Sequence, residues 1–292
     1  MVTLVRPLSF ARLLRRRGML ESTNAQLVTG AGILLVIVAV ALIVPFVWPY
    51  GPEQIVTDDS LASPSWHHLF GADSLGRDVF VRVADGYRIS LTVAVGSILI
   101  ALAVGIPLGL IAGYAGGRID SLIMRPLDVL MAFPAILLAI VVAAVLGTGT
   151  GVVLLAIGIV YVPIIARVMR AATLVVRREP YVEAALARGA SHRQVLLGHV
   201  LPNSLGPVIV QASLLMGVAI LLEAALSFVG LGVRPPTPSL GLMLSDGRDY
   251  LSNAPWAMIA PGVAIMLLVL SFNLIGDGLN LLLDPRLRAN GR

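Results

Sequence analysis

Long runs without any acidic residue, arginine or histidine constrain this chain more than any other feature of its sequence. A helix that crosses a membrane needs about 20 mostly apolar residues, and the runs are centred at 27–48, 89–117, 129–166, 200–222 and 250–276. The run 129–166 is too long for one crossing and contains five turn-forming residues at 147–151, so it predicts a tight helical hairpin. We therefore predict six membrane-spanning helices.

The composition supports an integral membrane protein. Of the 292 residues, 58% are hydrophobic and only 13% are charged, whereas soluble chains carry about 25% charged residues. We expect an all-α integral membrane protein whose even number of crossings places both termini on one side. The predicted parts are a basic segment 1–26, a first helix 27–48, a long segment 49–88, a five-helix core 89–285 with a loop at 167–203, and a tail 286–292.

The arginines indicate which side is cytoplasmic, because cytoplasmic loops carry an excess of Arg and Lys. Sixteen of the 21 arginines lie on the side of the termini, and five lie on the other side, at 77, 82, 88, 234 and 248. This predicts that both termini are cytoplasmic. The high pI therefore reflects topology, and we expect no nucleic-acid partner.

The absence of Cys and Lys excludes several kinds of chemistry on this chain. Without Cys there is no disulfide, thiol nucleophile or Cys-ligated metal. Without Lys there is no P-loop for ATP and no Schiff-base chemistry. The pair His67-His68 does not predict a metal site, because two adjacent side chains cannot face one ion from a regular helix. We expect no cofactor, no metal and no catalytic residue.

The N-terminal apolar stretch is interpreted as an uncleaved anchor, because its core is longer than that of a signal peptide and no small-residue cleavage site follows it. Residues 8–17 are either a short basic helix lying on anionic lipid or a disordered basic flank.

The segment 49–88 is unusually long for a membrane-protein loop. For residues 67–83 we favour a short helix that lies on the outer membrane surface and leads into the second span. Asp73, Gly76, Arg77 and Asp78 have two interpretations: they form a contact surface for an outer partner, or they belong to a lid in which the charges are solvated or paired.

The segment 167–203 contains local signals for two helices joined at a corner. Pro180 suits the first residue of a helix, and Gly189 suits the left-handed position that ends one. Ser191 and Gln194 match a capping box that starts a second helix, which we expect to end near Pro202. Three alanines, at 184, 185 and 187, predict a face with little side-chain bulk. The corner is either a docking surface for another protein or a connector.

Two acids, Glu223 and Asp277, lie in or at the edge of predicted spans. A buried acid is costly in a membrane and is functional by default, although capping a helix or pairing with an Arg at a subunit interface would also explain either residue. Pro134 and Pro163 predict kinks in the third and fourth spans.

Glu183-Ala184-Ala185, followed at a fixed spacing by Gly189 and by Leu201-Pro202, resembles the "EAA" pattern of the membrane subunits of ABC importers. His199 departs from that pattern, which has Ile in this position. Further blocks resemble the C-type permease of dipeptide, oligopeptide and nickel importers: Phe70–Asp73, Gly76–Val79, Gly86–Leu91, Ala115–Asp120, Leu226–Gly232, Gly276–Gly278 and Asp284–Arg286.

The resemblance implies a type I ABC importer permease fold in the bacterial cytoplasmic membrane. It implies a heterodimer with a second permease subunit, two cytoplasmic ATPase subunits and an extracytoplasmic substrate-binding protein. By the same resemblance, the residues that dock onto the ATPase are Glu183, Ala184, Ala185, Gly189, Leu201 and Pro202.

The resemblance implies import of di- or oligopeptides, and the same machinery importing nickel, glutathione or another small solute is the alternative. A secondary transporter would need intramembrane charge relays or paired broken helices. A membrane enzyme would need a nucleophile or a metal site. The sequence supports neither of these classes.

Overall fold

A computed structural model of the protein describes the backbone of residues 10–283 and the side chains of residues 25–283. Within these residues all regular secondary structure is helical, apart from one isolated bridge between Ala72 and Asp78. For residues 8–17 the sequence left open a short basic helix or a disordered flank. Residues 10–17 are helical, whereas residues 8 and 9 and all ten side chains lie outside the described part. The helices are α1 (Phe10–Val47), α2 (Val79–Ala115), α3 (Gly117–Met131), α4 (Ala135–Leu146), α5 (Thr150–Val176), α6 (Pro180–Ala187), α7 (His192–Val195), α8 (Leu201–Phe228), α9 (Leu240–Arg248) and α10 (Trp256–Leu283).

Five described stretches are long and apolar enough to cross a membrane, and the bent pair α3–α4 raises the number to six if it forms one crossing. The prediction of an all-α membrane protein is therefore confirmed. The five stretches are Ala25–Val47, Val79–Ala115, Thr150–Val176, His192–Phe228 and Trp256–Leu283.

A stripe of glycines packs α2 tightly against α5. Gly105, Gly109 and Gly113 follow one another at intervals of four residues and therefore share one helical face. A Cβ atom on Gly109 would lie 2.2 Å from the carbonyl oxygen of Ala166. The two helices run parallel, because Gly96 of α2 faces Leu154 while Gly113 faces Thr173. Small residues permit this close approach of backbones where no hydrophobic effect drives helices together.

The bundle has two ends, which we name by their contents. The loop end comprises residues 48–78, 147–149 and 229–255, which are joined by hydrogen bonds such as that from Gly149 N–H to the Gly232 carbonyl oxygen (2.9 Å). The arginine end comprises residues 116–131 and 177–200. Helices α2, α5 and α10 run from the loop end to the arginine end, and α1, α4 and α8 run the opposite way.

The third span was predicted as one kinked helix, and this prediction is wrong. Helix α3 ends at Met131 and α4 starts at Ala135, and their axes are bent by 92°. Pro134 precedes α4 in an extended conformation, and a proline also disfavours helical geometry in the residue before it. Pro134 therefore breaks the helix rather than kinking it. Pro163, in contrast, lies inside the continuous helix α5.

Two further boundaries differ from the sequence expectation. The second spanning helix begins at Val79 rather than at Ile89, and residues 67–78 form turns and the isolated bridge rather than a surface helix. The helix after the corner does not end near Pro202. It continues through a π-helical turn, Leu196–Val200, into α8, in whose first turn Pro202 lies.

Candidate functional site

The corner at the arginine end is built by local signals. Pro180 starts α6, and Gly189 follows it with φ +90°, a value that only glycine adopts without strain. The Ser191 side chain accepts a hydrogen bond from Gln194 N–H (3.3 Å), and the Gln194 side chain accepts one from Ser191 N–H (2.9 Å). The predicted helix, glycine corner and capping box are therefore all present.

The corner presents only part of the predicted set of side chains. Glu183, Ala184 and Gly189 are exposed, and the Glu183 side chain has no hydrogen bond or ion pair among the described residues. Ala185 is buried, with 3% of its surface exposed. The expectation that all three alanines share one open face is therefore wrong, because helical geometry turns Ala185 inward. Leu201 is half-buried and Pro202 is exposed.

His199, the departure from the EAA pattern, does not occupy a packed position. It is exposed, whereas the next residue, Val200, is fully buried. Both lie in the π-helical turn Leu196–Val200, and such a turn accommodates one extra residue within a helix. Val200 therefore supplies the apolar packing at this point.

Two polar contacts, which the sequence analysis missed, attach the corner and the end of α5 to the end of α2. The Tyr114 hydroxyl of α2 lies 2.9 Å from Nδ1 of His192, the first residue of α7. An Nη1 group of Arg177 donates to the carbonyl oxygens of Gly113 (2.8 Å) and Tyr114 (3.0 Å). The arginine thereby satisfies carbonyls that the end of α2 leaves unpaired.

At the loop end, the four predicted contact residues hold the segment 48–78 together. Arg77 Nε donates to Asp73 Oδ2 (2.7 Å), and Asp78 accepts from Val81 N–H (2.9 Å) as the N-cap of α2. Gly76 has φ +73°, and a Cβ there would lie 1.8 Å from the Val56 carbonyl oxygen. Asp78 is only 1% exposed. The charges of Asp73, Arg77 and Asp78 are therefore paired within the chain rather than solvated.

His68 is buried between two carboxylates. Its Nδ1 lies 2.8 Å from Asp78 Oδ2, its Nε2 lies 3.2 Å from Asp59 Oδ2, and its ring stacks on Tyr50. Burial disfavours the charged ring, but the hydrogen bonds and negative charges of Asp78 and Asp59 outweigh it and raise the pKa of His68 above 6.5. The neighbouring His67 is exposed.

Glu223 is completely buried near the loop end of α8 and joins three helices. Its Oε2 accepts a hydrogen bond from Ser90 Oγ of α2 (2.8 Å). Its Oε1 accepts from Ser227 Oγ of α8 (2.8 Å) and from Ser239 Oγ, the N-cap of α9 (3.3 Å). The partners of this acid were not predicted. Asp277 on α10 is instead exposed and has no recorded partner among the described side chains.

Two family models match this sequence. The family described as "Binding-protein-dependent transport system inner membrane component" matches residues 105–289. The family described as "N-terminal TM domain of oligopeptide transport permease C" matches residues 24–64. The first match covers more than half of the chain.

Several curated proteins are similar over most of their length. The dipeptide transport system permease protein DppC of Alkalihalophilus pseudofirmus is 44% identical over 266 residues, covering 91% of this chain and 88% of the relative. The glutathione transport system permease protein GsiD of Pectobacterium atrosepticum is 44% identical, with coverages of 88% and 85%. The di/tripeptide permease DppC of Pseudomonas aeruginosa is also 44% identical, with coverages of 87% and 86%.

Solved ABC transporters have the same fold. A chain of the inward-facing MetNI methionine transporter matches with a TM-score of 0.56 and 19% identity, covering 72% of this chain and 97% of that chain. A chain of an amino acid ABC transporter matches with a TM-score of 0.54 and 14% identity, covering 67% of this chain and 91% of that chain. The predicted type I permease fold is therefore confirmed. The chain belongs to the binding-protein-dependent inner-membrane components, and is thus a multi-pass permease subunit of a bacterial ABC transport system, not an enzyme.

Proposed function

We propose that this chain forms half of the translocation pathway of an ATP-driven importer for di- or oligopeptides. An extracytoplasmic binding protein delivers the peptide, a second permease subunit forms the other half, and separate ATPase subunits hydrolyse ATP. Two of the relatives at 44% identity are named for dipeptide or di/tripeptide transport. GsiD is named for glutathione, which is itself a small peptide. Import of glutathione, nickel or another small solute is the alternative.

The arginine end of this permease faces the cytoplasm, and the loop end faces outward. The support is the excess of arginine at the first end, because positively charged loops remain inside. In this orientation the segment 49–78 is extracytoplasmic, and 1–26 and 286–292 are cytoplasmic. Asp73, Gly76, Arg77 and Asp78 then shape the surface that meets the binding protein, with their charges paired internally.

The corner formed by α6 and α7 is the docking surface for the ATPase. The observation that carries this assignment is an exposed, unpaired Glu183 beside a corner whose angle is fixed by Gly189. Glu183 is free to form a charge-assisted hydrogen bond with an ATPase subunit. The exposed Ala184 permits close approach, while Leu201 and Pro202 join the corner to α8 and the buried Ala185 packs it against the bundle.

Gly189 sets the angle of the corner through its backbone conformation, and not because a side chain there would clash. A Cβ at this position would meet no atom within 4 Å, so a side chain causes no clash within the chain. Its φ of +90° would instead cost a β-branched residue about 1–3 kcal/mol. The substitution Gly189→Val therefore changes the angle of the corner while leaving the packing of the bundle intact.

The test uses the complete importer reconstituted in lipid. We expect Glu183→Arg and Gly189→Val to abolish uptake and the substrate-stimulated ATPase activity, while membrane insertion stays normal. Arg178→Glu is the matched control, because it reverses an exposed charge at the arginine end outside α6 and α7 and should leave both activities unchanged. Normal stimulated ATPase activity in either corner variant would contradict the docking assignment.

The substrate is tested separately through the binding protein that supports uptake by this importer. The proposal expects that protein to bind di- or oligopeptides, with uptake of a labelled peptide inhibited by unlabelled peptide. Binding of glutathione or nickel alone would replace the peptide assignment without affecting the docking assignment.

A further inference from the structure

Charged side chains on α3 are sorted between its two faces. Both acids point toward α5 and are paired there: Arg170 Nε and Nη2 donate to the two carboxylate oxygens of Asp120 (2.5 and 2.6 Å), and Arg167 Nη2 donates to Asp128 (2.6 Å). The negative charge of the helix is therefore already neutralised within the chain.

The two arginines of α3 lie on a different face. Arg118 and Arg125 are exposed and have no hydrogen bond or ion pair among the described residues. They alternate with Leu122 and Val129, whose side chains are 76% and 61% exposed. We call this surface the open face of α3. It comprises residues 118, 121, 122, 125 and 129, which follow the helical spacing of one stripe.

The open face lies at the level of the membrane surface. Leu127 packs against Val162 and Ala166 of α5, just before Arg167 and Arg170 end the apolar stretch of that helix. Because α3 is bent by 92° from the uncharged α4, its axis does not follow that of the apolar helix, and α3 stays at the arginine end. An amphipathic helix placed in this way lies among lipid headgroups.

We propose that the open face of α3 binds an anionic phospholipid of the bilayer. The guanidinium groups of Arg118 and Arg125 hold the phosphate-bearing headgroup, because guanidinium groups match phosphate oxygens geometrically. Leu122 and Val129 contact the acyl chains. The alternation of cationic and apolar side chains fits an amphiphile better than the acidic surface of a protein, which would leave Leu122 and Val129 against polar groups.

The site does not depend on the orientation of the chain or on the function of the corner. It needs only a bilayer surface at the arginine end, which the paired arginines of α5 indicate. Failure of ATPase docking at Glu183 would therefore leave this proposal standing, and loss of lipid binding would leave the docking assignment standing.

The experiment measures lipid retained by the complete importer. The complex is purified in mild detergent and titrated with phosphatidylglycerol or with zwitterionic phosphatidylcholine, and bound lipid is counted by native mass spectrometry. We expect the variant Arg118→Gln/Arg125→Gln to bind phosphatidylglycerol about tenfold more weakly, with no change for phosphatidylcholine. The matched control is Arg234→Gln/Arg248→Gln, which removes two exposed arginines at the loop end and should retain phosphatidylglycerol as the unaltered complex does.

Three outcomes overturn the proposal. Equal retention by the variant and the unaltered complex would show that the open face binds no lipid. Equal losses in the variant and the control would show an unspecific effect of charge. If the double variant fails to assemble, Arg118→Gln and Arg125→Gln are purified singly. Loss of assembly in both single variants would identify the open face as a contact between subunits and not as a lipid site.

Discussion

A single buried carboxyl, that of Glu223, connects three helices at the loop end. Its two oxygens accept hydrogen bonds from Ser90 of α2, Ser227 of α8 and Ser239 at the start of α9. All three serines are themselves buried. A buried polar group is tolerated when its hydrogen bonds are satisfied, so this acid has a structural role that its position in an apolar helix did not reveal.

Replacing Glu223 by Ala should destabilise the protein strongly. The change would leave three buried hydroxyl groups without their acceptor, and each unsatisfied group costs about 1–3 kcal/mol. We expect a clear decrease in the thermal unfolding midpoint of the purified complex in detergent, measured by size-exclusion chromatography after heating. Glu223→Gln should recover most of the loss, because one amide oxygen still accepts from two serines.

Asp277→Asn serves as the control for this prediction. Asp277 is exposed and has no recorded partner among the described side chains, so its unfolding midpoint should stay near that of the unaltered complex. An unchanged midpoint for Glu223→Ala would show that the three hydrogen bonds contribute nothing to stability.

The sequence identified Glu223 as unusual but could not identify its partners. Ser90 is 133 positions away and lies on another helix, and Ser239 is 16 positions away. No spacing rule within one helix connects these residues. The same limit applies to Tyr114 and His192, which are 78 positions apart.

At the scale of elements, the segment 48–78 is fastened to the start of α2 by His68. The ring contacts Asp59 within the segment and Asp78 at the N-cap of α2, while Tyr50 stacks on it and Ser65 accepts from its backbone N–H. These are the groups that face the ring. The doubly protonated ring donates to both carboxylates at once, whereas the neutral ring can donate to only one of them.

This geometry predicts that the segment loosens as the pH rises. The pKa of His68 is raised above 6.5 in the folded protein. The stabilisation is therefore fully present below 6.5 and is lost as the pH increases through the higher folded value. Limited proteolysis of the segment, normalised to an unfolded reference peptide, should accelerate as the pH rises above 6.5.

His68→Gln should remove this pH dependence, because the amide does not titrate in that range. His67→Gln is the matched control: His67 is exposed next to the buried ring, so the variant should keep the pH dependence of the unaltered protein. A pH profile that is the same for both variants would exclude His68 as its origin.

The sequence predicted those helix starts and ends whose signals lie within a few residues of one another. The proline at 180, the glycine at 189 and the capping box at 191–194 each act within a few residues, and all three hold in the structure. The bend between α3 and α4 was predicted only as a kink at Pro134, because the uncharged run 129–166 joins the end of α3 to α4. The start of α2 was missed because Arg82 and Asp85 look solvent-exposed in sequence, although Arg82 is in fact buried beside Asp73.

At the scale of the whole molecule, α2 links the two ends. Near the loop end its Ser90 binds Glu223, and at the arginine end its Tyr114 contacts the corner through His192. Between these points the glycines at 105, 109 and 113 hold it against α5. Interdigitated helices move as rigid bodies rather than deforming continuously. A displacement of the corner is therefore expected to reach the loop end through α2 and α5 together.

The final prediction concerns the orientation of the whole chain in the membrane, for which the sequence offers an unusual advantage. Since the chain contains no Cys, a single introduced cysteine is the only thiol that a maleimide can label. Ser63→Cys at the loop end and Glu179→Cys at the arginine end both place the thiol at an exposed position.

In intact cells with a permeable outer layer, we expect a membrane-impermeant maleimide to label the variant Ser63→Cys. It should label Glu179→Cys only after the cytoplasmic membrane is opened, because the arginine-rich end stays inside. Val141→Cys, on the exposed apolar surface of α4, should resist labelling in both conditions, since a thiol within the bilayer rarely ionises. The reverse pattern for the first two variants would place the corner outside the cell, where no ATPase could reach Glu183, and would overturn the orientation and the docking assignment together.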